Sequence, residues 1–299
     1  MQILMQEVSA STNLRLPHFS RALIGVPIDD RGKASVEFLT RFGIKNSELT
    51  YRSDTFQIFM DGKATGADEI DNLVTDLRNE TIVLEATTLG LAEILLFCRA
   101  AKTVGIQKLG FIYVEPLRYV TPARPGLLHR RDFELTEEFP GFRSIPEFVI
   151  NLADSRPTRG VLFLGYEERR LDRILEDHQM INGDNCTVVF GVPAFSPGWE
   201  MNSFSRTLRV LRDKGIRPEI EFCGAENPLA AYGLLKRVAS SLKHEERMFI
   251  APLGTKPMGI GAALFCSENN NIGVLYDHPR RRAGRSESAT RWHYFEARF

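Results

Sequence analysis

The sequence predicts an α/β protein of the Rossmann-like class, in which helices cover both faces of a mostly parallel sheet. Short unbroken apolar runs alternate along the chain with segments whose apolar residues recur at helical spacing. Strands of a parallel sheet are buried on both faces, so they appear in a sequence as unbroken apolar runs. The length of 299 residues suits one large α/β domain or two lobes.

The first half of the chain follows the order β-α-β-α-β-α-β. Its first apolar run ends at Asp29-Asp30-Arg31-Gly32, and an amphipathic segment then continues to Phe42. Turn residues separate the runs, as expected where strands alternate with helices. The predicted strands are 22–28, 56–60, 81–86 and 109–114, and the later helices are 67–77 and 89–101.

Proline, glycine and charged residues dominate the middle of the chain. Loops of this length are usually functional or join two lobes. We therefore predict an N-terminal Rossmann-like half at 1–120, a Pro/Gly-rich connecting segment at 121–158, and a C-terminal Rossmann-like half with an Arg-rich tail at 159–299. The strands predicted in the second half are 160–164, 186–192, 218–222, 248–253 and 272–276.

Both halves end in the pattern Tyr-x-x-Pro-x-Arg after an apolar strand. The two copies begin at Tyr113 and at Tyr276. Two βαβ units with matching ends indicate a duplication, or two strand ends that face one crevice. The alternative is an aromatic strand end followed by a turn proline.

Composition excludes several classes of protein. The 38 basic and 38 acidic side chains cancel, so no overall charge attracts the protein to nucleic acid or to an anionic membrane. The four cysteines lie far apart in apolar runs, which predicts buried thiols rather than a zinc site. With no signal peptide apparent and no apolar helix long enough to cross a bilayer, we expect a reduced, cytoplasmic protein with no metal.

The turn Gly254-Thr255-Lys256 is the strongest candidate for a ligand site. It stands between an apolar strand and a helix rich in small residues, and Pro257 follows it. Backbone N–H groups, a hydroxyl and an ammonium at such a strand end are suited to an anion, so we expect a phosphate or nucleotide there. The turn is not a Walker A loop, and a capped helix with a solvated lysine is the alternative.

Two further strand ends carry candidate ligand residues. Thr87 and Thr88 occupy the corresponding turn of the first half, where their hydroxyls would bind a ligand or cap a helix. Tyr166, Arg169 and Arg170 follow the strand at 160–164, where open α/β sheets bind ligands. A solvated first helical turn is the alternative for this second group.

The C-terminal tail contains the one local cluster of basic residues with aromatic residues among them. Such a cluster predicts contact with a partner protein or with nucleic acid, and an exposed C-terminal face is the alternative. The residues concerned are Arg280, Arg281, Arg282, Arg285 and Trp292.

The segment at 250–264, with its Gly254-Thr255-Lys256-Pro257-Met258 turn, resembles the nucleotide-binding strand, turn and helix of CRISPR-associated Rossmann-fold (CARF) sensor domains. Thr87-Thr88 stand at a comparable strand end. The resemblance implies a sensor of cyclic or linear oligonucleotides, or of another nucleotide second messenger, in prokaryotic antiviral defence. It also implies a homodimer.

Three classes of function follow from these patterns. The first is a nucleotide-binding sensor or regulatory subunit, in which Thr255 and Lys256 hold phosphate and Tyr166, Arg169 or Trp199 hold the rest of the ligand. The second is an enzyme acting on a nucleotide or phosphorylated metabolite, with Asp29, Asp30 or Glu167 as base. The third is an accessory protein that docks through its Arg-rich C-terminus. No complete catalytic signature identifies catalytic residues, and no cofactor beyond a nucleotide ligand is indicated.

Overall fold

The computed structural model describes residues 1–120, 133–150, 158–177 and 185–299. The chain forms two compact units, one made of 1–120 with 281–299 (unit 1) and one made of 121–280 (unit 2). Each unit contains a sheet with a parallel core and accompanying helices, so the predicted α/β, Rossmann-like class is confirmed. Residues 121–132 and 151–157 of the predicted connecting segment lie outside the described residues.

The bounds of the elements are as follows. The strands are β1 (Gln2–Val8), β2 (Arg21–Ile24), β3 (Lys45–Arg52), β4 (Gln57–Met60), β5 (Lys63–Gly66), β6 (Ile82–Glu85), β7 (Lys108–Tyr119), β8 (Thr136–Glu138), β9 (Thr158–Leu164), β10 (Cys186–Gly191), β11 (Glu219–Cys223), β12 (Arg247–Pro252), β13 (Ile272–Val274), β14 (Arg280–Arg281) and β15 (Ser286–Arg298). The helices are α1 (Asp30–Arg41), α2 (Ile70–Thr75), α3 (Leu91–Thr103), α4 (Glu168–Asp177), α5 (Glu200–Asp213), α6 (Pro228–Ser240) and α7 (Lys256–Glu268), with 3-10 turns at Ser11–Asn13 and Ala67–Glu69.

The sheet of unit 1 has eight strands in the order β1-β15-β7-β6-β2-β3-β4-β5. Its four central strands, β7, β6, β2 and β3, are parallel. The strands at either side of them are antiparallel. β2 pairs with β3 on one side and with β6 on the other, so strands are first added on the β3 side of β2 and then on its β6 side. The carboxyl ends of these two strands therefore border a topological switch point, where open α/β sheets bind ligands.

The region of β3 and β4 differs from the sequence prediction. The run at 56–60 belongs to β4, which pairs antiparallel with β3 instead of continuing the parallel order. β3 was not predicted because its sequence is half-exposed and polar, with only Ser47, Leu49 and Tyr51 buried.

The tail at 281–299 was predicted to belong to the C-terminal half, but it groups with unit 1. Its strand β15 lies between β1 and β7 and is antiparallel to both. Trp292, Tyr294, Phe295 and Ala297 of this strand are buried. The last residues of the chain therefore supply part of the core of the first unit.

The sheet of unit 2 has five parallel strands in the order β11-β10-β9-β12-β13. The chain starts at the centre with β9, adds β10 and β11 on one side, and then crosses to β12 and β13 on the other. The order reverses between β9 and β12, so the switch point of unit 2 lies between the loops that follow these strands. Leu162, Val188 and Phe249 belong to the apolar core beside this sheet.

The repeated Tyr-x-x-Pro-x-Arg pattern occupies different structural positions in the two units. Its first copy, from Tyr113, lies inside the long strand β7. Its second copy, from Tyr276, follows the end of β13 and includes β14. The strand orders of the two sheets also differ. The pattern therefore does not mark equivalent positions.

Candidate ligand site

The turn Gly254-Thr255-Lys256 joins β12 to α7 in unit 2. β12 ends at Pro252 and α7 begins at Lys256, so the turn follows directly from the strand beside the switch point. All three residues are partly exposed. The structure thus places the predicted phosphate residues at the edge of the sheet where ligands of open α/β folds bind.

The first turn of α7 has no side-chain cap. Thr255 is in the N-cap position, but its hydroxyl donates to the backbone oxygen of Ala225 instead of accepting from the helix. Pro257, in the first turn, has no N–H group to satisfy. Uncapped N–H groups at a helix N-terminus, together with the helix dipole, favour an anion. Lys256 is the first residue of this helix.

The loop after β9 meets the loop after β12 at close range. A Cβ atom on Gly165 would lie 2.6 Å from the backbone oxygen of Leu253. That distance is shorter than van der Waals contact, so only glycine fits between the two loops. On its other side, the Gly165 carbonyl accepts a hydrogen bond of 2.7 Å from the hydroxyl of Ser203. The loop after β9 is therefore held by a close backbone contact with the loop after β12 and by a hydrogen bond from α5.

The buried side chain of Arg170 stabilises the loop after β12. Its Nε and Nη2 atoms donate to the two carboxylate oxygens of Asp277 at 2.7 and 2.6 Å, and Nη1 donates to the Leu253 backbone oxygen at 3.2 Å. Burial alone would lower the pKa of Arg170, but the Asp277 carboxylate outweighs it and raises that pKa. All three nitrogens bind protein acceptors, so Arg170 positions the turn, whereas its neighbour Arg169 is exposed.

Asp277 was missed by the sequence analysis. It lies three residues beyond the end of β13 and is 1% exposed. Two features of the sequence could have indicated its role. Asp277 is a carboxylate just after a predicted strand, and Arg170 follows another strand predicted for the same sheet. No spacing rule connects the two, because they are 107 residues apart.

Three aromatic side chains pack edge to face after β9. The ring centroid of Tyr166 lies 5.1 Å from that of Phe133 and 6.1 Å from that of Trp199, and Phe133 and Trp199 are 5.1 Å apart. Tyr166 is 8% exposed. Edge-to-face packing is a favoured aromatic geometry, and it fixes the loop that contains Tyr166.

Thr87 and Thr88 lie at the switch point of unit 1, after β6. The Thr87 hydroxyl accepts from the Val114 N–H at 3.1 Å, and the Thr88 hydroxyl accepts from the Gly25 N–H at 2.9 Å. Both side chains are buried. The hydroxyls therefore connect the end of β6 to its two neighbours in the sheet.

Glu85, which the sequence analysis did not single out, organises the same turn. This carboxylate is fully buried and accepts from the backbone N–H groups of Thr87 and Thr88 at 3.0 and 2.8 Å. The Ser35 hydroxyl donates to it at 2.8 Å, and the Thr88 hydroxyl donates as well. Four donors satisfy the carboxylate, so Glu85 has a structural role here.

Asp29 begins α1 as its N-cap. Its Oδ1 accepts from the Gly32 N–H at 3.0 Å, and its Oδ2 accepts from Arg31 Nε at 3.1 Å and from the Ser286 hydroxyl at 2.6 Å. Burial alone would raise the pKa of Asp29, but Arg31 and Ser286 outweigh it and hold that pKa below its ordinary value of 3.8. Asp30, a second carboxylate predicted as a base, is exposed.

The tail residues are distributed over different environments. Arg280 is exposed and pairs with Glu138 at 3.1 Å, and Arg282 is exposed as well. Arg281 donates to the backbone oxygens of Thr87, Thr88 and Leu89. The Arg285 side chain is 13% exposed. The four arginines therefore do not form one exposed basic surface.

The burial of Trp292 contradicts the prediction that it contacts a partner. It is 5% exposed, and its ring lies 5.2 Å from that of Phe38 in the core of unit 1. An aromatic residue buried between a strand and a helix cannot contact a partner. Its position between polar residues in the sequence resembles a surface cluster, but β15 lies between β1 and β7 and has a buried face.

Metal and thiol chemistry have no assembled site in the part of the chain that is described. No group of three or more His, Cys, Asp or Glu residues there is arranged to hold a metal ion. The cysteines are free and buried, as their apolar surroundings predicted. Burial raises the pKa of both the Cys186 and the Cys223 thiol to about 12, so neither is a ready thiolate. Among the described residues, no helix combines the length and apolar character needed to cross a membrane.

Comparisons with known proteins identify no family. No protein-family model and no curated protein matches the chain. Among solved structures, the chain is similar to a ketoreductase domain from the bacillaene assembly line, at 12% identity and a TM-score of 0.24. The match covers 91% of this chain and 72% of the other. A likeness at that score carries no argument about activity.

Proposed function

We propose that unit 2 binds a nucleotide, or another phosphorylated small molecule, at the carboxyl edge of its sheet. Gly254, Thr255 and Lys256 would surround the phosphate. One observation carries the proposal: this turn starts an uncapped helix at the point where the strand order reverses. Both features favour a phosphorylated ligand, the first through a helix N-terminus that the Thr255 side chain does not cap and the second through the crevice expected at a switch point.

The neighbouring residues have distinct roles in this proposal. Lys256 provides a point charge for the phosphate. Arg170 and Asp277 keep the Leu253 carbonyl, and with it the turn, in place. Arg169 supplies an exposed cation at the start of α4, and the partly exposed ring of Trp199, held by Tyr166, would stack on a base.

The finer part of the proposal concerns the biological role. The resemblance of the 250–264 segment to CARF sensors supports a regulatory function in which a cyclic or linear oligonucleotide is the ligand. A homodimer is part of the same proposal. Turnover of the bound nucleotide would instead indicate the enzymatic function that the sequence leaves open.

The test compares Lys256→Ala with the wild type in ligand binding. Mononucleotides, dinucleotide cofactors and cyclic oligonucleotides are screened by thermal shift, and any ligand found is measured by calorimetry. A ligand at a hundred times its dissociation constant adds about 2.7 kcal/mol to the free energy of unfolding, which thermal shift detects. The matched control is Lys236→Ala, which removes an exposed lysine from α6.

We expect Lys256→Ala to weaken binding at least about tenfold, since a charge-assisted contact contributes about 1.5 to 3 kcal/mol. Lys236→Ala should bind like the wild type. Equal affinity in wild type and Lys256→Ala would refute the site. Chromatography of the incubated samples measures turnover in the same experiment.

A further inference from the structure

Three arginines gather around one carboxylate in unit 1. Arg31 Nε lies 3.1 Å and Arg285 Nε 3.8 Å from Oδ2 of Asp29. Arg281 donates to the backbone oxygen of Thr88, and the Thr88 side chain and the Asp29 carboxylate both lie within 3.3 Å of the position that a Cβ on Gly32 would take. Burial, followed by the charges of Arg31 and Arg281, lowers the pKa of Arg285 to about 10. Positive charge therefore exceeds negative charge around Asp29, even with the buried Glu85 carboxylate in the neighbouring turn.

Two of these arginines donate hydrogen bonds to several protein acceptors. Arg31, which is 2% exposed, donates to Asp29, Ser286, the Tyr113 hydroxyl and the Val114 carbonyl. Arg281 donates to three backbone carbonyls in the turn after β6. Those carbonyls satisfy the hydrogen bonds of Arg281, but they carry no net negative charge.

Arg285 differs from both. Within the described residues its guanidinium makes no hydrogen bond, and its Nε is buried without an acceptor. Only 13% of its side chain is exposed, and the contact with Asp29, at 3.8 Å, is longer than a hydrogen bond. A buried Nε–H without an acceptor is destabilising, because neither water nor protein replaces its hydration.

The position of the cluster is that of a ligand site. Asp29 follows β2, and Arg281 binds the turn after β6, so the cluster adjoins the switch point of the unit 1 sheet. Arg285 directly precedes β15. The remaining exposure of Arg285 leaves a route from solvent to the guanidinium.

We propose that unit 1 has an anion site for a phosphoryl group, in which the guanidinium of Arg285 binds two of its oxygens. A planar guanidinium matches the spacing of phosphate oxygens and forms two parallel hydrogen bonds. The excess positive charge of the cluster favours an anion such as phosphate. Arg281 and Arg31 contribute through their charge, since both already donate to protein acceptors. This site is separate from the one proposed in unit 2 and does not depend on it.

The test uses the full chain with Lys256→Ala as the starting protein, so that binding at the site proposed in unit 2 is weakened. Inorganic phosphate is the probe, and thermal shift and calorimetry are the measurements. Arg285→Met is the main variant, because methionine is unbranched and apolar and fills much of the same space. Arg285→Lys keeps the charge without the planar fork. Arg280→Ala, an exposed arginine in the other unit, is the control.

We expect phosphate to raise the melting temperature of the starting protein and of the Arg280→Ala control. Arg285→Met should abolish that rise, and Arg285→Lys should weaken phosphate binding at least about tenfold because it loses the two-point contact. Without phosphate, Arg285→Met should melt at the same temperature as the starting protein or higher, because an unsatisfied charge has been removed. A purely structural arginine would instead lower the melting temperature.

Two results would overturn the proposal. One is the absence of any phosphate-dependent shift in the starting protein. The other is an equal shift with and without Arg285. If Arg285→Met does not fold, unchanged phosphate affinity in Arg285→Lys is sufficient to reject the site. The affinities for adenosine monophosphate and phosphoserine are then compared with the affinity for inorganic phosphate. The compound that binds most tightly indicates the source of the phosphoryl group.

Discussion

Arg170 and Asp277 form a two-point ion pair in the interior of unit 2, with N–O distances of 2.7 and 2.6 Å. Their side chains are 10% and 1% exposed. The same guanidinium donates to the carbonyl of Leu253, which directly precedes the candidate turn. The ion pair therefore connects the residues after β13 to the loop after β12.

Asp277→Asn should destabilise unit 2 by about 3 to 5 kcal/mol, because it leaves a buried guanidinium without its counter-charge. Urea unfolding measures the change. Arg118→Ala is the control, since the Arg118 and Glu287 pair is exposed and should contribute no more than about 1 kcal/mol. A loss below about 1 kcal/mol in Asp277→Asn would contradict the structural role of the pair. If the nucleotide site exists, the same variant should also weaken its ligand.

Gly165→Ala should destabilise the protein by about 1 to 3 kcal/mol, since the new methyl group would meet a backbone oxygen that cannot move aside easily. Its Cβ would lie 2.6 Å from the Leu253 oxygen. Gly233→Ala is the matched control in α6, because no atom lies within 4 Å of the position of its Cβ. The control should stabilise the helix by about 1 kcal/mol. Similar effects of both substitutions, measured by thermal unfolding, would contradict the close approach of the two loops.

Asp29 should make the stability of unit 1 fall at low pH. Its folded pKa lies below its ordinary value of 3.8, so its contribution is complete above that pH and is lost as the pH falls through the folded pKa. Asp29→Asn should therefore lower the urea midpoint at pH 5 and show a smaller further fall toward pH 2.5 than the wild type. Asp30→Asn alters the exposed neighbouring carboxylate and serves as control. Parallel profiles of wild type and Asp29→Asn would reject this linkage.

Trp292→Ala should destabilise unit 1 by about 3 to 5 kcal/mol, because it leaves a cavity between β15 and α1. Trp292 is 5% exposed, whereas Leu117 on the neighbouring strand β7 is 53% exposed. Leu117→Ala is therefore the control, with an expected change of about 0.5 kcal/mol. Denaturant unfolding is the measurement. If the two substitutions had equal effects, the tail would not be part of the core.

Local patterns in the sequence predicted the fold class and the candidate turn. The apolar run before Gly254 and the small residues after it appear in the structure as β12 and α7, with the turn between them. A buried parallel strand has to be apolar throughout, and a tight strand-to-helix turn favours glycine, threonine and proline. Each of these requirements acts over a few neighbouring residues and can therefore be recognised in the sequence alone.

The tertiary structure decided which distant residues meet. Nothing near Trp292 in the sequence indicates that β15 returns to pair with β1 and β7, because the polar residues of this strand conceal its buried face. Arg170 pairs with Asp277, which is 107 residues away in the sequence. Arg285 lies beside Asp29 because the C-terminal segment returns to unit 1. Sequence determined the elements through local burial and turn chemistry. Only the long-range pairing of strands decided which charges are satisfied by a partner and which are left without one.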